Sequence, residues 1–129
     1  MKYYSIGEAA ALFRIPESRF RYYEKQGLLP LMERDAAGRR RFSEDQIALF
    51  GMVLCLKQTH MPISEIKQYI DWVVEGESTT ELRLEMMQKH KAAVQEEMSL
   101  MTKALEGIDV KIARYMNARK NKNREEAKS

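Results

Sequence analysis

The sequence predicts a mainly α-helical chain: a small head of short helices with a two-stranded hairpin, then a helix pair, then one long helix built to pair with another. Three observations predict it. Serine capping boxes stand before apolar helical runs, Ser5 with Glu8 and Ser43 with Gln46. An Asp-x-x-Gly turn, Asp35 with Gly38, lies between two short flanks. From about residue 79 to 118 there is no proline and Gly107 is the only glycine, while apolar residues keep a 3,4 spacing.

In the first box the Ser5 hydroxyl accepts from the Glu8 amide and Glu8 reaches back. A helix follows from about 6 to 13, with Ile6, Ala9, Ala10, Leu12 and Phe13 available to its apolar face. Arg14, Ile15 and Pro16 interrupt it; Pro16 cannot continue a helix but suits the start of a new one. The second helix spans about 17 to 26, points Phe20 and Tyr23 at the first, with Leu28 just beyond, and stops at Gly27. Two short helices across a tight turn make a helix-turn-helix. In the stretch 31–42, opened by Leu31 and Met32, Asp35 can bond nearby amides and Gly38 is free to take positive φ, so the flanks pair as a two-stranded wing. The second box opens a helix to about 58. Pro62 precedes another from about 63 to 75, with Ile66, Ile70 and Val73 at helical spacing and Gly76 as its end.

The long helix carries Leu84, Met87, Lys91, Val94, Met98, Met101, Leu105, Ile108, Ile112 and Tyr115 along one seam, with mostly Glu, Lys, Gln and Arg between. A helix of about 40 residues is roughly 60 Å long, more than a small head can cover. Its seam calls for another helix, and an identical chain is the obvious partner. Met87, Val94, Met98, Met101, Leu105, Ile108 and Ile112 are the expected dimerisation residues, and Lys91 is placed to set register. The expected organisation is a winged helix-turn-helix head over 1–76, a coiled-coil helix over 77–118 and a disordered basic tail over 119–129. Residues 114–128 hold six basic and two acidic side chains.

Composition excludes several classes. With 129 residues, 44% hydrophobic and 32% charged, the chain reads as one soluble globular unit of no more than average domain size. No apolar run approaches the roughly 20 residues of a membrane span, and the amino terminus has no apolar signal core. Cys55 is the single cysteine, which rules out an internal disulfide and fits a reducing cytoplasm. No nucleophile–base set, glycine-rich phosphate loop or metal-ligand cluster is visible, so neither an enzyme, nor a cofactor, nor a metal site is expected.

The net charge of +3 has the sign for nucleic acid but a modest size; the placement of arginines says more. Arg19, Arg21 and Tyr22 fall outside the core set of the second helix, and arginine forks onto guanine or phosphate while a tyrosine hydroxyl bonds phosphate. Alternation in the wing strand sends Arg40 to one face and Arg39 and Arg41 to the other. Lys57 on the third helix is a further phosphate contact in this reading. The candidate DNA-binding set is therefore Arg19, Arg21, Tyr22, Arg40, Arg41 and Lys57. A protein–protein adaptor with a coiled coil and a small helical head is the alternative; it explains the heptads but not the arginine wing.

The run 20–29, Phe-Arg-Tyr-Tyr-Glu-Lys-Gln-Gly-Leu-Leu, resembles the Leu-Arg-Tyr-Tyr-Glu-x-x-Gly-Leu-Leu motif of the MerR family of transcription regulators. Residues 5–10 resemble that family's opening helix, and residues 38–42, Gly-Arg-Arg-Arg-Phe, its wing. The resemblance implies an antiparallel homodimer, an inverted repeat within a promoter, and a distorted spacer through which RNA polymerase is affected indirectly. It places the DNA contacts on Arg21, Tyr22, Arg40 and Lys57. Arg19 departs from the small hydroxyl residue often found in the family, and Arg14 and His60 stand where glycine is usual, at positions that call for positive φ.

The resemblance also bears on what is sensed. Drug-binding relatives carry a large effector domain after the coiled coil, for which too few residues follow Tyr115; metal-binding relatives use several cysteines near its end, and none follows Cys55. The surroundings of Cys55 resemble a branch without an effector domain that answers aldehydes, nitrosative stress or other electrophiles. A thiol reacts as its thiolate, which nearby positive charge favours, and Lys57 and His60 are close in sequence. A small buried hydrophobe is the other reading of Cys55.

Overall fold

The computed structural model describes residues 2–29 and 33–128; Leu31 and Met32, with which the expected hairpin begins, lie outside them. The order of elements is β1 (Tyr3–Ser5), α1 (Ile6–Phe13), α2 (Glu17–Lys25), β2 (Glu33–Arg34), β3 (Arg40–Ser43), α3 (Glu44–Gln58), α4 (Ile63–Glu75), a 3-10 turn (Glu77–Thr79) and α5 (Thr80–Lys128). The chain divides into two compact units, Met1–Met87 and Gln88–Ser129.

Local chemistry sets the helix starts. The Ser5 hydroxyl accepts from the Glu8 amide at 3.1 Å while the Ser5 amide donates to Glu8 Oε1 at 3.0 Å. The backbone amide of Ser5 holds the Glu8 carboxyl below the usual glutamate range. Ser43 and Gln46 repeat the arrangement at the start of α3, at 3.3 and 2.9 Å. α1 ends where Arg14 takes a left-handed conformation, φ 55°, and His60 does the same after α3 with φ 69°. Both are the positions that the sequence marked as calling for positive φ, and each non-glycine residue there costs of order 1 kcal/mol.

The wing is larger than the two-stranded hairpin expected. β1 pairs antiparallel with β3, Tyr4 opposite Phe42, and β2 pairs with the other edge of β3, Glu33 opposite Arg41, giving a three-stranded sheet in the order β1-β3-β2. β1 covers an edge of β3 that would otherwise present unpaired amides and carbonyls.

The core is aromatic at its centre. Phe50 of α3 lies 4.2 Å from Phe20 of α2, 5.1 Å from Phe13 of α1 and 5.8 Å from Tyr23, ring centre to ring centre. Phe20 also meets Phe42 of β3 at 5.1 Å, edge on. One cluster thus fixes the helix-turn-helix to α3 and to the wing strand. Gly51 sits beside it because a Cβ there would lie 3.4 Å from the Phe13 ring. Leu12, assigned to the apolar face of α1 by spacing, is exposed; Ala9 and Ala10 take the buried positions.

Two expected boundaries shift. The head does not stop at 76. Thr79 is 3% exposed, and its hydroxyl lies 2.6 Å from the Trp72 carbonyl and 2.7 Å from that of Gly76, and accepts from Arg83 Nε at 3.1 Å. Met86 and Met87 pack on the head core, so the first turns of α5 belong to the head, and Met87, expected on the dimer seam, is half-buried there. The tail is not disordered over 119–128: α5 runs on to Lys128. These residues contain neither proline nor glycine, and Ala, Arg, Lys and Glu are good helix formers.

Candidate nucleic-acid interface

α2 has two faces. Phe20 is fully buried and Tyr23 nearly so, which turns Arg19, Arg21 and Tyr22 outward; the Tyr22 ring is half exposed. The turn before it is held by the Ile15 amide donating to the Ala10 carbonyl at 3.1 Å, and Pro16 caps the helix in extended conformation. Glu17 and Arg21 form an exposed i,i+4 pair at 3.4 Å. Such a pair is worth only a few tenths of a kcal/mol, so Arg21 can exchange it for a stronger anion.

The wing turn is built by Asp35. Its Oδ1 accepts from the amides of Ala37 and Arg39, both at 2.9 Å, and Oδ2 meets Arg39 Nε at 3.2 Å. The Arg39 amide first, then that of Ala37 and the Arg39 charge, hold the Asp35 carboxyl below the usual aspartate range. Gly38, at φ 80°, closes the turn and accepts from Arg34 Nη1 at 2.8 Å.

The three wing arginines are placed differently. Arg40 turns toward α2 and donates from Nε to Glu24 Oε2 at 2.5 Å, with the side chains 29% and 21% exposed. That contact uses one nitrogen of the guanidinium and leaves its two terminal amino groups clear of it. Arg41 lies on the opposite face of β3, over the Tyr3 ring at 4.2 Å and beside Glu33 at 3.3 Å. Its Nε is buried without a hydrogen-bond partner among the described residues. Arg39, outside the candidate set, is the most open of the three, with its side chain 80% exposed at the turn. The structure therefore brings Arg40 to α2 and separates Arg41 from it. Glu24 was not singled out from the sequence; its tie to Arg40 spans sixteen residues, beyond any local pattern.

Lys57 is half-buried near the end of α3. Cys55 is exposed on the same helix, which excludes the buried-hydrophobe reading, and its carbonyl accepts from the Thr59 hydroxyl at 2.8 Å. Among the described residues no group of three or more His, Cys, Asp or Glu is arranged to hold a metal ion, and no helix is long and apolar enough to cross a membrane.

Residues 4–71 match the family described as MerR HTH family regulatory protein, the stretch from β1 into α4. The chain belongs to the MerR family. It is a MerR-type helix-turn-helix transcriptional regulator. A relative from Haemophilus influenzae, described as an uncharacterized HTH-type transcriptional regulator, is 30% identical over 116 residues, 90% of this chain and 86% of that protein. A MerR family regulator from Bacillus thuringiensis superposes with a TM-score of 0.84 at 43% identity, over 88% of this chain and 99% of its own. HiNmlR, a MerR family regulator lacking the sensor domain and solved bound to promoter DNA, superposes with a TM-score of 0.83 at 30% identity, over 92% of this chain and 94% of its own.

Proposed function

We propose that this MerR-type regulator binds an inverted repeat in duplex promoter DNA as a homodimer in the cytoplasm. The observation that carries the reading is the outward set Arg19, Arg21 and Tyr22 on α2, with the wing's Arg40 tied to Glu24 of that same helix. The likeness over nearly its whole length to HiNmlR, itself bound to promoter DNA, supports it.

α2 enters the major groove, where Arg19 and Arg21 face base edges or phosphate and the Tyr22 hydroxyl bonds phosphate. Arg40, oriented by Glu24, offers its terminal amino groups to the backbone, and Lys57 adds a phosphate contact. The exposed apolar residues Met98, Met101, Leu105, Ile108 and Ile112, together with the half-buried Val94, form the seam between two copies. Two heads at a fixed separation then set the twist and bend of the spacer, whose deformability decides how RNA polymerase meets the promoter. The exposed Cys55 thiol is the switch: its thiolate adds to the carbonyl carbon of an aldehyde, forming a C–S bond while the carbonyl oxygen takes a proton. Cys55 lies between buried Leu54 and Leu56 on α3, which packs on β3, so an adduct there bears on the helix that carries the wing.

A footprint upstream of the protein's own gene, with and without methylglyoxal, tests this. Protection over an inverted repeat is expected, with an aldehyde-dependent transcriptional change that Cys55→Ser abolishes. No footprint would end the DNA-binding reading; an unchanged response in Cys55→Ser would end the switch alone.

A further inference from the structure

The first residue of α2, Glu17, stands one turn before Arg21 on the same flank of the helix. Its carboxylate lies between two neighbours. Oε2 meets Arg21 Nη2 at 3.4 Å. Oε1 lies against the first turn of α1, where a Cβ on Gly7 would come within 2.9 Å of it. The missing side chain of Gly7 leaves room for that oxygen, and the amino end of α1 carries the partial positive charge that favours an anion. Arg19 is exposed roughly 160° round the helix from Arg21. Among the described residues no carboxylate pairs with Arg19. The two outward arginines of α2 are therefore unequal: Arg19 is a bare cation, and Arg21 has its charge balanced.

We infer that Glu17 is a specificity-determining residue: by balancing the charge of Arg21 it disfavours phosphate and keeps that arginine's donors for base edges. This rests on the DNA-binding reading above. A bare guanidinium is drawn to the phosphates of any sequence, because that attraction is one of charge. A base edge is neutral, and guanine O6 and N7 call for donors rather than for charge. The contact with Glu17 takes one N–H of a terminal amino group and leaves the rest of the donor fork open. A phosphate that reaches Arg21 either displaces Glu17 or lies beside it. The first breaks the ion pair and the second sets anion against anion, so both oppose the contact. The pair is exposed and therefore weak, worth about threefold in affinity per head. Two heads multiply this to roughly tenfold, and it acts at every wrong sequence the protein meets. Arg19, with no carboxylate beside it, supplies the phosphate contact that all sequences share.

Fluorescence anisotropy on the full chain tests this with two duplexes over a salt series: the inverted repeat protected upstream of the gene, and a scrambled duplex of equal length. Trp72 emission confirms a folded head. Glu17→Gln keeps the size of the side chain and removes its charge. Its affinity for the scrambled duplex should rise roughly tenfold at about 0.1 M salt, and its affinity for the repeat by less than about threefold, so the preference for the repeat falls. The salt slope on the scrambled duplex should steepen by about 0.9 per head, as each freed Arg21 gains a phosphate. In an Arg21→Ala chain the same change should leave the preference within about twofold, because no arginine remains to be redirected. Equal gains on both duplexes would overturn the inference and reduce Glu17 to a general negative charge. So would unchanged affinity for the scrambled duplex, or a preference that still falls in the Arg21→Ala chain. A parent that binds the two duplexes alike, or neither, fails the DNA-binding reading itself.

Discussion

Phe50→Ala removes the ring that joins three elements of the head. Phe50 is 2% exposed, and its centre lies 4.2, 5.1 and 5.8 Å from those of Phe20, Phe13 and Tyr23. Truncating a buried phenylalanine costs about 3–5 kcal/mol, and the loss of three aromatic neighbours places this site toward the upper end. Total stabilities run about 5–15 kcal/mol, so the head should approach marginal stability. Trp72 is the only tryptophan and is half-buried in the head, so its emission follows head unfolding separately from the helical signal of α5. At about 1–3 kcal/mol per molar urea, the midpoint should fall by about 2 M. Met52→Ala, on the same helix at an exposed position, should shift it by less than about a quarter of that. A Phe50→Ala midpoint within about 0.5 M of the parent would refute the claim that this ring organises the head.

Thr79→Val keeps shape while deleting the hydroxyl that lies against Trp72 and Gly76 and accepts from Arg83. Both carbonyls keep backbone donors, Gly76 to Trp72 and Thr79 to Gly76 at 3.0 Å each, so the cost should be near the lower limit for an unsatisfied group, about 1 kcal/mol. A fall of about 4–8 °C in Tm is expected, and an unchanged Tm would remove Thr79 from the joint. The Asp35 carboxyl sits below its usual pKa because folded amides hold the anion. Its contribution is therefore complete above the ordinary aspartate value and is lost as pH falls through the depressed one. The Ala37 and Arg39 amide shifts should titrate together below the ordinary value; a midpoint at or above it would contradict the turn geometry.

Much of the head is legible because its signals are local. Ser5 with Glu8, Ser43 with Gln46, and Asp35 with Gly38 each specify a start or a turn within five residues, and each forms as expected. Arg14 and His60 were legible as left-handed positions through resemblance rather than propensity. What escaped is non-local. β1 is three residues long, too short to show alternation, and its partner strand lies beyond two helices. The tie between Arg40 and Glu24, and the turning of Arg41 onto Tyr3 and Glu33, depend on which elements flank β3. Thr79 reads as an ordinary loop residue until Trp72, Gly76 and Arg83 converge on it. The extension of α5 was hidden because the seam ends at Tyr115, although the residues beyond it favour helix.

Titrating the purified protein into a labelled duplex carrying its upstream inverted repeat, across a series of salt concentrations, tests the account most directly. One dimer per duplex is expected, with affinity falling as salt rises by a power of about 0.9 per phosphate contact. Arg40→Ala should flatten that slope by about one. A monomer with no affinity for the duplex at low salt would contradict the account.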